Sequence, residues 1–132
     1  MQAYGANAQA LTSLAGLSFP AAAAATRPLS LLNGWQSSQF AYGTGDPAYT
    51  VAGGVVYLSG SMYQPSGSNS EFAVLPPAAR PRHKLWIETY TYNGAVGALE
   101  ITPSGVMDAF NNTGNAAQGY TSLAAISYPV NS

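Results

Sequence analysis

Side chains alternate in character over most of the chain, and turn residues interrupt the alternation every few positions. Across residues 84–92, aliphatic and threonine side chains alternate with aromatic and acidic ones, which is the period-two pattern of a β-strand. The pair Asn93-Gly94 is typical of a type I′ turn, and residues 95–102 predict the return strand. A second tight turn leads into a third strand at 106–110. This part of the chain is therefore predicted to be a three-stranded antiparallel meander.

Shorter segments of the same kind lie on either side of the meander. They are residues 35–42, 49–52, 55–63, 72–75 and 122–128. In one of them, Val56, Leu58 and Met62 share the face that we expect to be buried. No helix is predicted after Gly34. About eight short strands at this spacing predict an all-β fold, an antiparallel β-sandwich of the jelly-roll type.

Residues 1–34 differ in composition from the rest of the chain. They are predicted to form an extended N-terminal arm, and residues 35–132 are predicted to form the β-sandwich head domain. The arm is rich in Ala, Gln, Ser and Leu and carries a single charge, Arg27. Such a segment cannot build a core of its own. It is expected either to fold back on its own domain or, as the favoured alternative, to dock onto another subunit. The predicted anchoring residues are Leu11, Leu14, Leu17, Phe19, Leu29, Leu31 and Leu32.

Charged side chains are scarce, at 7% of 132 residues beside 47% hydrophobic ones. An average soluble protein has about 25% charged residues. Three of the four basic residues cluster within 80–84 in a chain of net charge −1, too little for binding nucleic acid through its phosphates. Membrane insertion is not expected, because polar residues, Gly or Pro break every uncharged stretch before the about 20 apolar residues that a spanning helix needs. The charge deficit instead favours surface hidden in subunit contacts.

A signal peptide is not expected either, since residues 1–10 contain no Lys or Arg.

Catalysis is not predicted. The chain has no Cys and a single His, His83, which lies between Arg82 and Lys84, and it has no Gly-x-Ser-x-Gly motif and no phosphate-binding loop. No metal site or cofactor is predicted from this set of residues. Glu88 and Glu100 lie on strands predicted to pair, which is the arrangement a glycosidase would need, but exposed acids that maintain solubility are the simpler interpretation.

Aromatic side chains give the stronger functional signal. Trp86, Tyr90 and Tyr92 share one strand face, and Tyr57 and Tyr63 share a face of an earlier strand. Aromatic rings that stack on sugars, with Asn, Gln, Ser and Tyr as hydrogen-bonding partners, let a rigid β-surface bind a glycan without charge. The alternative is that these rings fill the core or a subunit interface. The candidate glycan- or receptor-binding residues are Trp86, Tyr90, Tyr92 and Tyr63.

The order of motifs from Trp35 to Tyr128 adds a further signal. Gly-Val-Val-Tyr-Leu-Ser-Gly (54–60) precedes Leu-Pro-Pro-Ala-Ala-Arg-Pro (75–81), followed by the aromatic strand, Gly-Ala-Leu-Glu-Ile (97–101), Pro-Ser-Gly-Val (103–106) and Ser-Leu-Ala-Ala-Ile-Ser-Tyr (122–128). This order resembles the β-sandwich head domains of tailed-bacteriophage fibres and receptor-binding proteins. The resemblance implies a homotrimer exposed on a virion, assembled in the host cytoplasm, with host-surface saccharide as ligand.

Three functions are compatible with these patterns. The favoured one is a structural protein on the exterior of a tailed-phage virion, a short fibre or tail-fibre tip whose arm docks onto capsid or tail proteins and whose trimeric head is displayed for attachment. Fibre proteins normally have a long shaft before the head domain, whereas only about 34 residues precede the predicted head in this sequence. A capsid decoration or cement protein of the same fold is therefore the first alternative. A small carbohydrate-binding or carbohydrate-active protein is the second alternative.

Overall fold

Strands dominate residues 25–130, the part of the chain that the computed structural model describes. The strands of this part are β1 (Arg27–Pro28), β2 (Gln36–Ser37), β3 (Ala48–Ala52), β4 (Val55–Ser59), β5 (Ser61–Tyr63), β6 (Glu71–Val74), β7 (Leu85–Tyr90), β8 (Val96–Ile101), β9 (Val106–Phe110), β10 (Thr121–Ser122) and β11 (Ser127–Pro129). Between them lie two short helices, α1 (Gln39–Tyr42) and α2 (Ala116–Gly119), and two 3-10 turns, Pro77–Ala79 and Tyr92–Gly94. The pairings between these strands are antiparallel. The prediction of an all-β, sandwich-like antiparallel fold is confirmed.

The strands form three sheets. The first has the order β1-β3-β4-β11, the second β10-β5-β2 and the third β6-β9-β8-β7. The third sheet contains the predicted meander, in which Leu85 pairs with Ile101 and Leu99 pairs with Ala109. That prediction is confirmed.

One hydrophobic core joins the sheets. Leu99, Ile101 and Met107 from the third sheet are fully buried, as is Val56 from the first. Because side chains alternate along a strand, burial of this face leaves the other face of the third sheet to water. That outer face carries the exposed residues Trp86, Glu88 and Tyr90.

Residues 35–42 do not form the single strand that their alternation predicts. Only β2 is extended, and α1 follows it directly. The backbone carbonyl of Ser38 accepts hydrogen bonds from the N–H groups of Ala41 and Tyr42, and the Gly43 N–H donates to Gln39 at 2.8 Å. This local hydrogen bonding replaces a strand ladder. The expectation that no helix follows Gly34 was therefore wrong.

Two other predicted strands are each divided. Residues 55–63 change sheets at Gly60, which has a φ of +87° and lies so close to Asp46 that a Cβ would be 2.4 Å from its carbonyl oxygen. Only glycine combines that conformation with that approach. Residues 122–128 are interrupted by a turn in which Ala125 has a φ of +63°. In the first of these segments, Val56, Leu58 and Met62 are nevertheless buried, as their alternation predicts.

Residues 25–34, the last part of the predicted arm, pack on the β-domain. Leu29 belongs to the core, and its N–H donates to Pro47 at 3.0 Å. The N–H of Leu32 donates to Phe72 at 2.8 Å, although its side chain is exposed, and Leu31 packs against the core. These three predicted anchoring leucines thus contact their own chain. Leu11, Leu14, Leu17 and Phe19 lie outside the described residues, and the division at residue 34 stays a prediction.

The Leu-Pro…Arg-Pro motif forms a structural clamp. Leu75 is fully buried, and the Arg80 Nε donates to its carbonyl at 2.8 Å. The hydroxyl of Tyr128 donates to the carbonyl of Ala79 at 2.8 Å. The motif therefore ties the third sheet to β11 of the first sheet.

Candidate functional site

Four tyrosines from separate parts of the chain line one open cleft of about 530 Å³. Tyr42 ends α1, Tyr90 ends β7, Tyr92 begins the 3-10 turn and Tyr120 follows α2. The complete lining, which we call the tyrosine cleft, is Tyr42, Thr44, Tyr90, Tyr92, Asn93 and Tyr120. The exposed fraction is 54% for Tyr42, 56% for Tyr90 and 47% for Tyr92, so these rings are available to a ligand.

Tyr120 holds the arrangement together. Its ring contacts Tyr42 edge-to-face, with centroids 4.9 Å apart, and contacts Tyr90 in the same manner at 5.9 Å. Each edge-to-face pair stabilises the arrangement by about 0.5–1.5 kcal/mol beyond the burial of its area. The interplanar angles, 76° and 83°, show that these rings are not stacked face to face.

A buried threonine pair brings these segments together. Thr91 and Thr121 are both fully buried and form an isolated antiparallel bridge between the end of β7 and the start of β10. Thr121 donates through its hydroxyl to Ala117 at 2.7 Å, and Asn111 donates to the Thr91 hydroxyl at 3.1 Å. Since Thr91 lies between Tyr90 and Tyr92, and Thr121 follows Tyr120, the bridge fixes three of the four tyrosines.

A second cleft, of about 590 Å³, adjoins the first and shares Tyr92 with it. Its lining, which we call the amide cleft, is Tyr63, Gln64, Pro65, Ser66, Gly67, Tyr92, Asn115, Ala116, Gln118 and Gly119. The Gln118 Nε2 donates to the Gln64 Oε1 at 2.8 Å, and Gln64 also donates to Asn33 and Asn69. This network holds the amide groups in fixed positions.

The two linings contain no charged side chain. They present aromatic rings, phenolic and aliphatic hydroxyls, and amides. Such groups stack on apolar faces and exchange hydrogen bonds with a neutral polar ligand, whereas an anion or cation would find no counter-charge.

The structure brings three of the four sequence-predicted residues to these clefts. Tyr90 and Tyr92 line the tyrosine cleft, and Tyr63 lines the amide cleft with Tyr92. Trp86 lies on the outer face of the third sheet, where it contacts Phe110 edge-to-face at 5.7 Å and lines neither cleft.

Sequence reasoning missed Tyr42 and Tyr120, as well as Thr44 and Asn93. Tyr42 belongs to a predicted strand, whereas Tyr120 lies between two predicted strands and outside every predicted element, and no local pattern connects the two. The spacing of tyrosines carries no signal for a contact that only the tertiary fold creates.

The two glutamates considered for glycoside hydrolysis share a sheet face, as their predicted pairing requires, but they are offset. Glu88 is opposite Ala98, and Glu100 is opposite Trp86. The Glu100 carboxylate forms an ion pair with the Lys84 ammonium at 3.0 Å. Neither glutamate lines the tyrosine cleft or the amide cleft.

His83 is exposed. Within residues 25–130, no group of three His, Asp or Glu side chains is arranged to hold a metal ion.

No family model, curated protein sequence or solved structure matches this chain. In the described part of the chain, no helix has the length and apolar character that crossing a membrane requires.

Proposed function

We propose that this chain is a non-catalytic attachment protein on the exterior of a tailed-phage virion, and that its β-sandwich head binds a glycan of the host surface. The observation that carries the binding function is the tyrosine cleft, where three well-exposed rings surround an uncharged depression. The order of motifs from Trp35 to Tyr128 supports the virion location.

Sugar recognition suits this cleft for a physical reason. A pyranose ring has an apolar face of C–H groups and a rim of hydroxyls, so it is matched by aromatic surface beside hydrogen-bonding groups. The cleft offers both, because Thr44 and Asn93 lie beside the tyrosine rings. Ordered rings also lose little conformational freedom when a ligand binds.

Assembly into a trimer would strengthen attachment. A single shallow site of this kind is expected to bind with a Kd of about 1 mM, or about −4 kcal/mol. Three linked sites raise the overall affinity by about 10²–10⁴ when all engage one surface. Exposed apolar residues on a chain of only 7% charge, with Val96 67% exposed, favour such subunit contacts.

The binding function is tested by titrating the full chain against a panel of bacterial surface polysaccharides. We expect binding to at least one glycan, weakened about tenfold or more by Tyr42→Ala or Tyr90→Ala, because each removes a stacking surface. Trp86→Ala is the matched control, since it removes an exposed aromatic side chain outside both clefts, and it is expected to bind as the wild type does.

Two results would overturn the proposal. If no glycan binds while the chain still attaches to capsids and stabilises them, the protein is a decoration protein instead. If a bound glycan is cleaved, and Glu88→Gln or Glu100→Gln stops the cleavage, it is a carbohydrate-active enzyme.

A further inference from the structure

Tyr92 separates the tyrosine cleft from the amide cleft and lines both of them. This residue is 47% exposed, and the end of α2 lies close to the base of its side chain. A Cβ placed on Gly119 would lie 3.2 Å from both the Cβ and the Cγ of Tyr92, so there is little room between the helix end and the base of this side chain. Tyr92 thus forms the boundary between the two clefts, and a ligand that occupies both clefts would have to cross this side chain.

The two clefts are each of a size found in small-molecule sites, which span about 300–1,000 Å³. They measure about 530 Å³ and 590 Å³. Their chemistry differs: the first is mainly aromatic, while the second presents amides and hydroxyls. A ligand that occupies both must therefore be extended, and must offer apolar faces at one end and hydrogen-bonding groups throughout.

We propose that the two clefts form one continuous site for a neutral, linear oligosaccharide that crosses Tyr92. The sugar units in the tyrosine cleft stack on Tyr42, Tyr90 and Tyr92. Units further along the chain lie in the amide cleft, where they contact Tyr63 and exchange hydrogen bonds with Gln118 or Asn115. This inference rests on the proposed function and adds the class and length of its ligand.

Neutrality follows from the absence of counter-charges in the linings. An anionic glycan would bring carboxylates or phosphates to a surface where neither cleft contributes Arg, Lys or His. Desolvating an ion without a partner is unfavourable, so uronic acids and phosphorylated sugars are disfavoured.

The experiment uses the full chain and purified oligosaccharides of one to six units. The neutral probes are linear oligomers of glucose, galactose, mannose and N-acetylglucosamine, and the anionic probes are oligogalacturonides of the same lengths. Affinities are measured by isothermal titration calorimetry. We expect a neutral series to bind, with affinity rising about tenfold or more from the disaccharide to the hexasaccharide as the second cleft becomes occupied.

Two variants separate the clefts. Tyr63→Ala should reduce the ratio of hexasaccharide to disaccharide affinity towards one, whereas Tyr42→Ala should weaken both ligands. Circular dichroism and thermal unfolding establish that each variant is folded, and both residues are partly exposed, so loss of fold is not expected.

The possible failures are distinguishable. An affinity that stays constant with length, in a chain that binds the disaccharide, overturns the continuous site but leaves glycan binding intact. Tighter binding of oligogalacturonides overturns neutrality alone. Absence of binding to every probe and to every surface polysaccharide overturns the proposed function together with this inference.

Discussion

Tyr128 shows how one side chain can connect two sheets. It is buried in β11 at 4% exposure, and its hydroxyl donates to the carbonyl of Ala79 at 2.8 Å. Burial raises the pKa of this phenol well above its ordinary value of 10.0, because the charged form would lose its hydration. The neutral phenol is therefore the form that the folded protein stabilises.

This burial predicts a loss of stability in alkali. The unfolded chain releases the Tyr128 proton near pH 10.0, whereas the folded chain retains it at that pH. The contribution of the buried neutral phenol to stability is therefore fully present below pH 10.0 and is lost as the pH rises above it. The free energy of unfolding should fall with an added slope of about 1.4 kcal/mol per pH unit. Urea unfolding between pH 8 and pH 11 measures it.

Tyr128→Phe should remove that added slope. At pH 7 it should also cost about 1–3 kcal/mol, because the Ala79 carbonyl loses its donor. Tyr92→Phe, at an exposed tyrosine, is the control that should leave the slope intact. An identical slope in Tyr128→Phe and the wild type would contradict this account.

At the scale of elements, the turn between β8 and β9 is built into the Leu-Pro…Arg-Pro clamp. Gly105 has a φ of +93°, and a Cβ at this position would be 2.5 Å from the Leu75 carbonyl oxygen and 2.7 Å from the Arg80 Nε. The N–H of Leu75 donates to the Gly105 carbonyl at 2.9 Å. The turn therefore cannot move away from the clamp without breaking a backbone hydrogen bond.

Gly105→Ala is expected to destabilise the protein by more than the cost of placing a Cβ on a residue with a positive φ, because the added methyl group would also clash with Leu75 and Arg80. Gly45→Ala is the matched control, since Gly45 has a φ of +85° with nothing within 4 Å of a Cβ. The control should lose about 1–2 kcal/mol, the cost of a positive φ for a residue with a Cβ. The Gly105 variant should lose at least twice as much in urea unfolding. Equal losses of stability in the two variants would show that the clamp accommodates the added methyl group without a further loss of stability.

Local pairing explains which elements the sequence predicts. The meander is predicted because strands joined by short turns need only their own alternation and turn residues to define their pairing. Residues 35–42 alternate too, but hydrogen bonds within α1 compete successfully over so short a segment. The break at Gly60 depends on its contact with Asp46, and the tyrosine cleft depends on the Thr91–Thr121 bridge; both are tertiary contacts that no local pattern encodes.

The same distinction between local patterns and tertiary contacts explains why the sequence indicates only some residues of the tyrosine cleft. Tyr90 and Tyr92 are visible in the sequence because they lie at the end of the most regular strand. Tyr42 and Tyr120 come from α1 and from the segment after α2. The sequence predicts a strand at Tyr42 and no element at Tyr120. Aromatic side chains in a regular strand can thus indicate part of a candidate site, but not the residues that complete it.

At the scale of the whole molecule, the scarcity of charge and the course of residues 25–34 bear on assembly. Only one ion pair, between Lys84 and Glu100, is present in the described part of the chain. Stability there depends on the shared core, to which Leu29 contributes from within the predicted arm. We therefore divide the predicted arm into residues 25–34, which pack on the β-domain, and residues 1–24, which we propose dock onto the virion.

Two deletions test this division. Removal of residues 1–24 should leave the thermal unfolding temperature of the head within a few degrees of the full chain, because β1 and Leu29 are retained. It should also preserve a trimeric mass in analytical ultracentrifugation while abolishing attachment to virions. Removal of residues 1–34 should cost about 2–5 kcal/mol or more, since the core loses a leucine and β3 loses β1, one of its two partner strands. A head that is equally stable after both deletions would show that residues 25–34 belong functionally to the arm, and a monomeric full chain would exclude the trimer.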